Sequence, residues 1–217
     1  MVTTVGVLAL QGGVEEHIAV LGGLGVTTRR VRLPQDLDGL DGLILPGGES
    51  SAIDKLARSC GVAEPLRQTE LPVLATCAGL IYSARELENP APGQQTLALI
   101  DVTVRRNAFG NQRFSEERTV PVAMGMEMFE VEASFIRAPI VTRVGEGVEV
   151  IATVPVSGLV AESLGRDVDG QGVGQKSSLD AGGEAVVGVR QGNVTALSFH
   201  PEENGDSRLH AAWLASL

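Results

Sequence analysis

Short runs of almost uninterrupted apolar residues, 5–10, 42–45 and 73–76, each end in small residues. A strand that is apolar at nearly every position has both faces covered, and helices above and below a parallel sheet supply that cover. The turns fit this reading. Gln11-Gly12-Gly13 leads into a helical pattern over 14–24, Pro46-Gly47-Gly48-Glu49 into one over 52–59, and Thr76-Cys77-Ala78-Gly79 follows the third run. With 27–33 as a further strand, the order is strand, helix, strand throughout, which predicts a doubly wound α/β fold. Beyond residue 96 the pattern turns β-rich, with strands expected over 97–104, 119–122, 128–131, 148–154, 186–190 and 195–199 and a closing helix over 208–217. The expected fold class is therefore α/β, a three-layer doubly wound mixed sheet with an antiparallel extension. At 217 residues, 43% of them hydrophobic, the chain can bury a large core, and residues 1–217 are expected to form a single domain.

Charge and cysteine content narrow the function. The formal net charge of −10, without a long Lys/Arg tract, argues against a nucleic-acid partner. Cys60 and Cys77 are the two cysteines, too few for a disulfide framework and in no zinc-type spacing, so a reducing cytoplasm suits them and no metal is expected. The apolar N-terminus lacks a basic region and soon meets Glu15 and Glu16, so it reads as a first strand and not as a signal peptide. No uncharged apolar stretch reaches the length of about 18 residues that a membrane helix needs. A segment at about 162–184, rich in Gly, Asp and Ser, reads as a long surface loop. Asp167, Asp169, Gln171 and Gly172 fall on calcium-loop positions, but Ser178 stands where a bidentate Glu belongs, which speaks against calcium.

The chemistry-bearing residues begin with Cys77, at the end of a buried strand where a small-residue turn would lift a side chain out of the sheet. A thiol that opens a helix also meets the positive end of its dipole, which favours the thiolate. Cys60, at an apparent helix C-terminus, is expected to be structural. Among the three histidines, His17 and His210 fall on amphipathic helix patterns and read as solvated. His200 closes an apolar strand in Ser198-Phe199-His200-Pro201-Glu202. Pro201 favours an extended backbone before it, so the two-residue period sets His200 and Glu202 on one side. A carboxylate so placed can orient the imidazole. In Leu45-Pro46-Gly47-Gly48-Glu49-Ser50-Ser51 the plain reading is a turn and a helix capped by Ser50 or Ser51, and the sharper one is a pair of glycines that lets backbone N–H groups approach an oxyanion.

These motifs together resemble the class I, triad-type glutamine amidotransferases, whose flavodoxin-like fold is the one expected above. More narrowly they resemble the PdxT family, the glutaminase subunits of pyridoxal 5′-phosphate synthase. The narrower likeness rests on residues 5–12, on Arg105-Arg106-Asn107-Ala108-Phe109-Gly110 with the strand before it, and on Phe135-Ile136-Arg137-Ala138-Pro139. It implies that Cys77 attacks the side-chain amide of L-glutamine, that His200 moves the proton, that Glu202 orients His200, and that a glutamyl thioester is hydrolysed. It implies oxyanion donors near Gly48 and Ala78, glutamine contacts at Gly47, Gly48, Glu49, Arg106, Ile136 and Arg137, and no cofactor. Such subunits pass ammonia, in a large hetero-oligomer, to a synthase subunit that joins it to a pentose phosphate and a triose phosphate. The helix over 14–24 and the Gln11 loop are the docking surface that the resemblance suggests. Alternatives are a glutaminase subunit of another synthase, such as imidazole glycerol phosphate synthase, or an inactive scaffold of the same fold. The chain departs from the family pattern at Ala75, where glycine is usual, and at Glu203, a second carboxylate after the His-Pro-Glu motif that is expected to point to solvent.

Overall fold

The computed structural model describes residues 3–109, 116–125, 127–155 and 183–217. Most of the Gly-rich segment, with its calcium-like positions, lies outside the described residues. The elements run β1 (Thr4–Leu8), α1 (Val14–Gly23), β2 (Thr27–Val31), β3 (Gly42–Leu45), α2 (Ser50–Ser59), α3 (Ala63–Arg67), β4 (Val73–Thr76), α4 (Ala78–Ser83), β5 (Ala84–Leu87) and β6 (Ile100–Arg105). They continue with β7 (Glu116–Met124), β8 (Glu127–Phe135), β9 (Ile140–Val144), β10 (Glu149–Pro155), β11 (Glu184–Gln191), β12 (Val194–Leu197) and α5 (Arg208–Leu214). A mixed sheet of ten strands has the order β2-β1-β3-β4-β12-β11-β9-β6-β5, with β10 also paired to β11, and β7-β8 forms a separate hairpin. Strands β2, β1, β3, β4 and β12 are mutually parallel, while β11 turns antiparallel on β12 and begins the expected extension.

Two-residue alternation sorts these apolar strands between two cores. Leu43 and Leu45 of β3, with Val73 and Ala75 of β4, pack with Ile53, Ala57, Leu66 and Tyr82 from α2, α3 and α4. Ile44 and Leu74, one step out of phase, pack on the other face with Val14 and Leu21 of α1 and Leu209 and Trp213 of α5. A one-residue slip of either strand would exchange its two faces, so the pattern fixes register as well as layer. The β7-β8 hairpin joins the second face, opposing Val120 to Val131. No helix among the described residues is long and apolar enough to cross a membrane.

The expected helix over 208–217 and the strands at 42–45 and 73–76 lie where the pattern put them, within the usual blur of element ends. Missing from the expectation are α3, β5 and β9. Each is only four or five residues long, and β5 and β9 are set by long-range pairing, so no local period announces them. The larger correction concerns His17 and His210, expected as solvated: both are fully buried. His17 lies three residues after Val14 and four before Leu21, on the stripe of α1 that faces the core. His210 likewise precedes Trp213 by three on the inward side of α5. Leu74→Ala would empty a site at the centre of the sheet where Leu74 is fully buried, and should cost about 2–5 kcal/mol in urea unfolding. A cost well under about 1 kcal/mol would show that the centre can collapse around the loss.

Candidate active site

The C-terminal ends of β1, β3, β4 and β12 lie side by side at the point where the chain reverses its winding across the sheet. A crevice forms there in open α/β sheets. Each strand end delivers one part of the site: Gln11 to Gly13 after β1, Gly47 to Glu49 after β3, Cys77 after β4 and His200 after β12. Together with Ile136, Arg137 and Glu202 these residues line a cavity of about 330 Å³. A smaller neighbouring cavity of about 70 Å³ adds Arg106 and Asn107 to Gly48, Glu49, Cys77, Ile136 and Arg137. Ala78, the first residue of α4, follows Cys77 directly, and the backbone N–H groups of a first helical turn have no partner within their helix. The structure thus brings every site residue expected from the sequence to one place.

Cys77 occupies a strained backbone, φ 46° and ψ −100°, between strand and helix. A non-glycine residue there costs on the order of 1–3 kcal/mol and persists only if the surroundings impose it. Three contacts impose it here. The Cys77 N–H donates to the Leu197 carbonyl at 2.8 Å, its carbonyl accepts from Ile81 N–H at 3.2 Å, and Gly79 packs so closely on the Leu45 carbonyl that a Cβ would collide with it. Adjacent β3, β4 and β12 therefore hold the turn, and Ala75, buried in β4, fits without displacing it. Asn107 (φ 55°) and Arg137 (φ 49°) are also left-handed, so the rim shares the strain of the elbow.

His200 Nδ1 lies 2.9 Å from Glu202 Oε1, which leaves Nε2 for Cys77. The expected proximity of the two residues is correct, but its expected cause is not. Pro201 has φ −68° and ψ −27° and opens a 3-10 turn at Glu202, so a turn and not an extended chain brings the carboxylate back under the ring. Burial by itself would lower the pKa of His200, but hydrogen bonds to Cys77 and Glu202, and the attraction of both, outweigh it and raise the value to about 11. Burial would likewise raise Glu202, yet the charge and hydrogen bond of His17, followed by those of His200, hold its carboxyl well below the ordinary range. Glu203 is exposed, as expected.

A second tier lies beneath. His17 Nε2 is 3.3 Å from Glu202 Oε1 and 3.1 Å from Thr76 Oγ1, and His17 Nδ1 is 2.9 Å from His210 Nε2. Gly47 N–H donates to Thr76 Oγ1 at 3.1 Å, so the same hydroxyl ties the glycine turn to the network. Sequence reasoning missed Thr76, His17 and His210. The available signal was the phase of each histidine on its helix, which pointed inward.

The cap of α2 is also corrected: Glu49, and neither Ser50 nor Ser51, accepts from Ser51 N–H at 3.2 Å and Ala52 N–H at 2.8 Å. A glutamate reaches these donors because Gln11 Oε1 takes the Glu49 N–H at 2.6 Å and turns the loop. Arg106 lies 3.2 Å from Glu49 Oε1 and donates to Gln94 Oε1 at 2.9 Å. Burial raises the Glu49 carboxyl, but the Ser51 and Ala52 hydrogen bonds and Arg106 lower it further.

Helices cover both faces of the mixed sheet, and a strained turn at the end of β4 presents Cys77 to the crevice. Residues 7–216 match the SNO glutamine amidotransferase family. A protein of Corynebacterium glutamicum (strain R) named "pyridoxal 5′-phosphate synthase subunit PdxT" is 58% identical over 214 residues, 97% of this chain and 94% of its own. One of the same name from Cutibacterium acnes is 55% identical over 218 residues, 99% of this chain and 96% of its own. A crystal structure described as a glutamine amidotransferase superposes with a TM-score of 0.75 at 40% identity, covering 97% of both chains. The chain belongs to the SNO glutamine amidotransferase family.

Two predictions follow from this geometry. At Gly47 a Cβ would run into the His200 ring, so Gly47→Ala should abolish the reaction of the site while far-UV circular dichroism stays native; retained turnover would show the ring able to give way. The second concerns pH. Burial, and then the charge of His17, depress His210 from 6.5 to about 4. A depressed histidine gives its full stability above about pH 6.5 and loses it as pH falls towards about 4. His210→Leu should remove about 2 kcal/mol of the stability difference between about pH 7.5 and about pH 5, read by urea unfolding at each. An undiminished difference would assign the slope to other groups.

Proposed function

We propose that this chain is the glutaminase subunit of a pyridoxal 5′-phosphate synthase. The observation that carries the reading is the contiguous set of Cys77 on its elbow, His200 facing it, and Glu202 at 2.9 Å behind His200. Its relatives from Corynebacterium glutamicum and Cutibacterium acnes bear the synthase-subunit name over nearly their full length, which supports the assignment of the pathway.

In this reading His200 takes the thiol proton and the Cys77 sulphur attacks the side-chain amide carbon of L-glutamine. The developing oxyanion meets backbone N–H groups near Gly48 and Ala78. His200 then gives its proton to the departing nitrogen, the carbon–nitrogen bond breaks, and ammonia leaves a glutamyl thioester on Cys77. Water, relieved of a proton by His200, adds to the thioester carbon and releases glutamate and the thiol. Glu202 accepts from His200 Nδ1 throughout and keeps the second nitrogen aimed at sulphur. Gly47, Gly48, Glu49, Arg106, Ile136 and Arg137 frame the rest of glutamine. Arg106 and Arg137 supply the positive charge that its α-carboxylate needs, and Glu49 supplies a negative one for its α-ammonium group.

The ammonia passes to a separate synthase subunit within a large hetero-oligomer, with α1 and the Gln11 loop as the docking face and the whole chain acting as one amidotransferase domain in the cytoplasm. The test is glutamate and ammonia release from free glutamine by the purified chain, alone and with a pyridoxal 5′-phosphate synthase subunit, beside Cys77→Ala. Release that depends on the synthase and disappears in the variant is the expected result. Release that survives Cys77→Ala would overturn the nucleophile, and release indifferent to that synthase would overturn the partner.

A further inference from the structure

We propose that His17 is a positioning residue of the glutamine site and that His210 sets its tautomer, so that the three histidines of the chain and Glu202 form one buried relay. This inference rests on the glutaminase reading above and extends it. His210 Nε2 lies 2.9 Å from His17 Nδ1, His17 Nε2 lies 3.3 Å from Glu202 Oε1, and the same Oε1 lies 2.9 Å from His200 Nδ1. His17, Glu202 and His210 are at most 4% exposed.

Proton bookkeeping makes the arrangement specific. An ionised carboxylate only accepts, so both His200 Nδ1 and His17 Nε2 must present N–H to Oε1. Where His17 is neutral its Nδ1 is bare, and the nitrogen that faces it, His210 Nε2, carries the proton. His210 Nδ1 is left bare. Among the described residues that atom has no hydrogen-bond partner, and a buried bare acceptor is tolerated better than a buried orphan N–H. In that state the chain of donors runs from His210 to His17 to Glu202.

The second oxygen of the carboxylate explains why a tether is required. Glu202 Oε2 is buried without a partner among the described residues. Nothing on that side resists rotation of the carboxylate, and only donors on Oε1 select the orientation that serves His200. Thr76 Oγ1, which accepts from Gly47 N–H, adds a donor to Oε1 at a longer 3.4 Å. His17, with Thr76 beside it, is therefore what holds Oε1 in place besides His200. It does not line the cavity, so it acts through Glu202 and Thr76. The titratable groups that bear on the two rings are His200, Glu202 and Glu203 from the segment after β12, Asp206 ahead of α5, Glu16 on α1, and Cys77 across the His200 ring.

Two experiments test the relay. Nitrogen-15 imidazole NMR of the unmodified chain should find the proton of His17 on Nε2 and that of His210 on Nε2; a neutral His17 with its proton on Nδ1 overturns the proposal whether or not any variant folds. Steady-state kinetics of His17→Leu and His17→Gln, with the synthase subunit present, supply the second readout. His17→Leu should lower kcat about 10- to 100-fold, part of the roughly hundred- to ten-thousand-fold that a positioned base provides, and leave KM within about twofold. Its kcat/KM profile should lose activity at a higher pH on the acid side, because Glu202 is then easier to protonate. His17→Gln, whose amide can place an N–H near the lost Nε2, should recover most of the rate. Equal losses in both variants would assign His17 to packing, and an unchanged kcat and profile in His17→Leu would overturn the proposal. A parent chain that releases no ammonia with any synthase would instead strike the glutaminase reading, and the NMR result would stand apart from it.

Discussion

The negative charge of Glu202, buried at the junction of both layers, is the condition that the surrounding structure is built to meet. An unpaired carboxylate at that depth would be protonated or would displace the turn that holds it. Donors reach it from elements far apart in the chain: His17 from α1, Thr76 from the end of β4, and His200 from the segment after β12. Helix α1 cannot slide and β12 cannot change its neighbour without exposing that charge, so the electrostatic requirement fixes the same geometry as the apolar packing of Ile44 and Leu74.

Strain and charge meet at the elbow. Cys77 stays in its left-handed conformation because the backbone of β12 accepts its N–H and the absence of a side chain at Gly79 lets α4 come down on Leu45. On the other side, Gly47 leaves space that the His200 ring fills. The two glycines thus act on opposite sides of Cys77, one permitting the helix and the other the His200 imidazole to approach. The Glu49–Arg106 pair at the rim performs a different task, since Glu49 caps α2 while Arg106 pairs with it at the mouth of the cavity.

Much of this was legible in the sequence because it is local. The apolar runs at 42–45 and 73–76, the small residues after Cys77 and the pair His200 and Glu202 all lie within a few residues of one another, and pattern rules work at that range. What was not legible depends on distant contacts. Nothing beside His17 indicates that it meets His210, 193 residues away, and a histidine on an amphipathic helix reads as solvated unless its phase is weighed against the buried stripe. The cap at Glu49 was hidden for a related reason: serines usually cap helices, and only the Gln11 side chain, brought in by β1, swings the glutamate into their place. Strands β5 and β9 exist through pairing with β6, whose partners no window around them contains.

The position of β12 has a consequence for how the molecule comes into being. It is the last strand among the described residues, yet it sits in the middle of the sheet between β4 and β11. Thr76 and Glu202 stand 126 residues apart and must be closed over the whole antiparallel extension. Such pairing is slow to form, and chains emerge from the ribosome in order. While the first two thirds of the protein are already made, Cys77 has neither the carbonyl of Leu197 to hold its turn nor the His200 imidazole beside it. The nascent chain therefore carries a thiol whose surroundings are complete only when β12 threads into the centre.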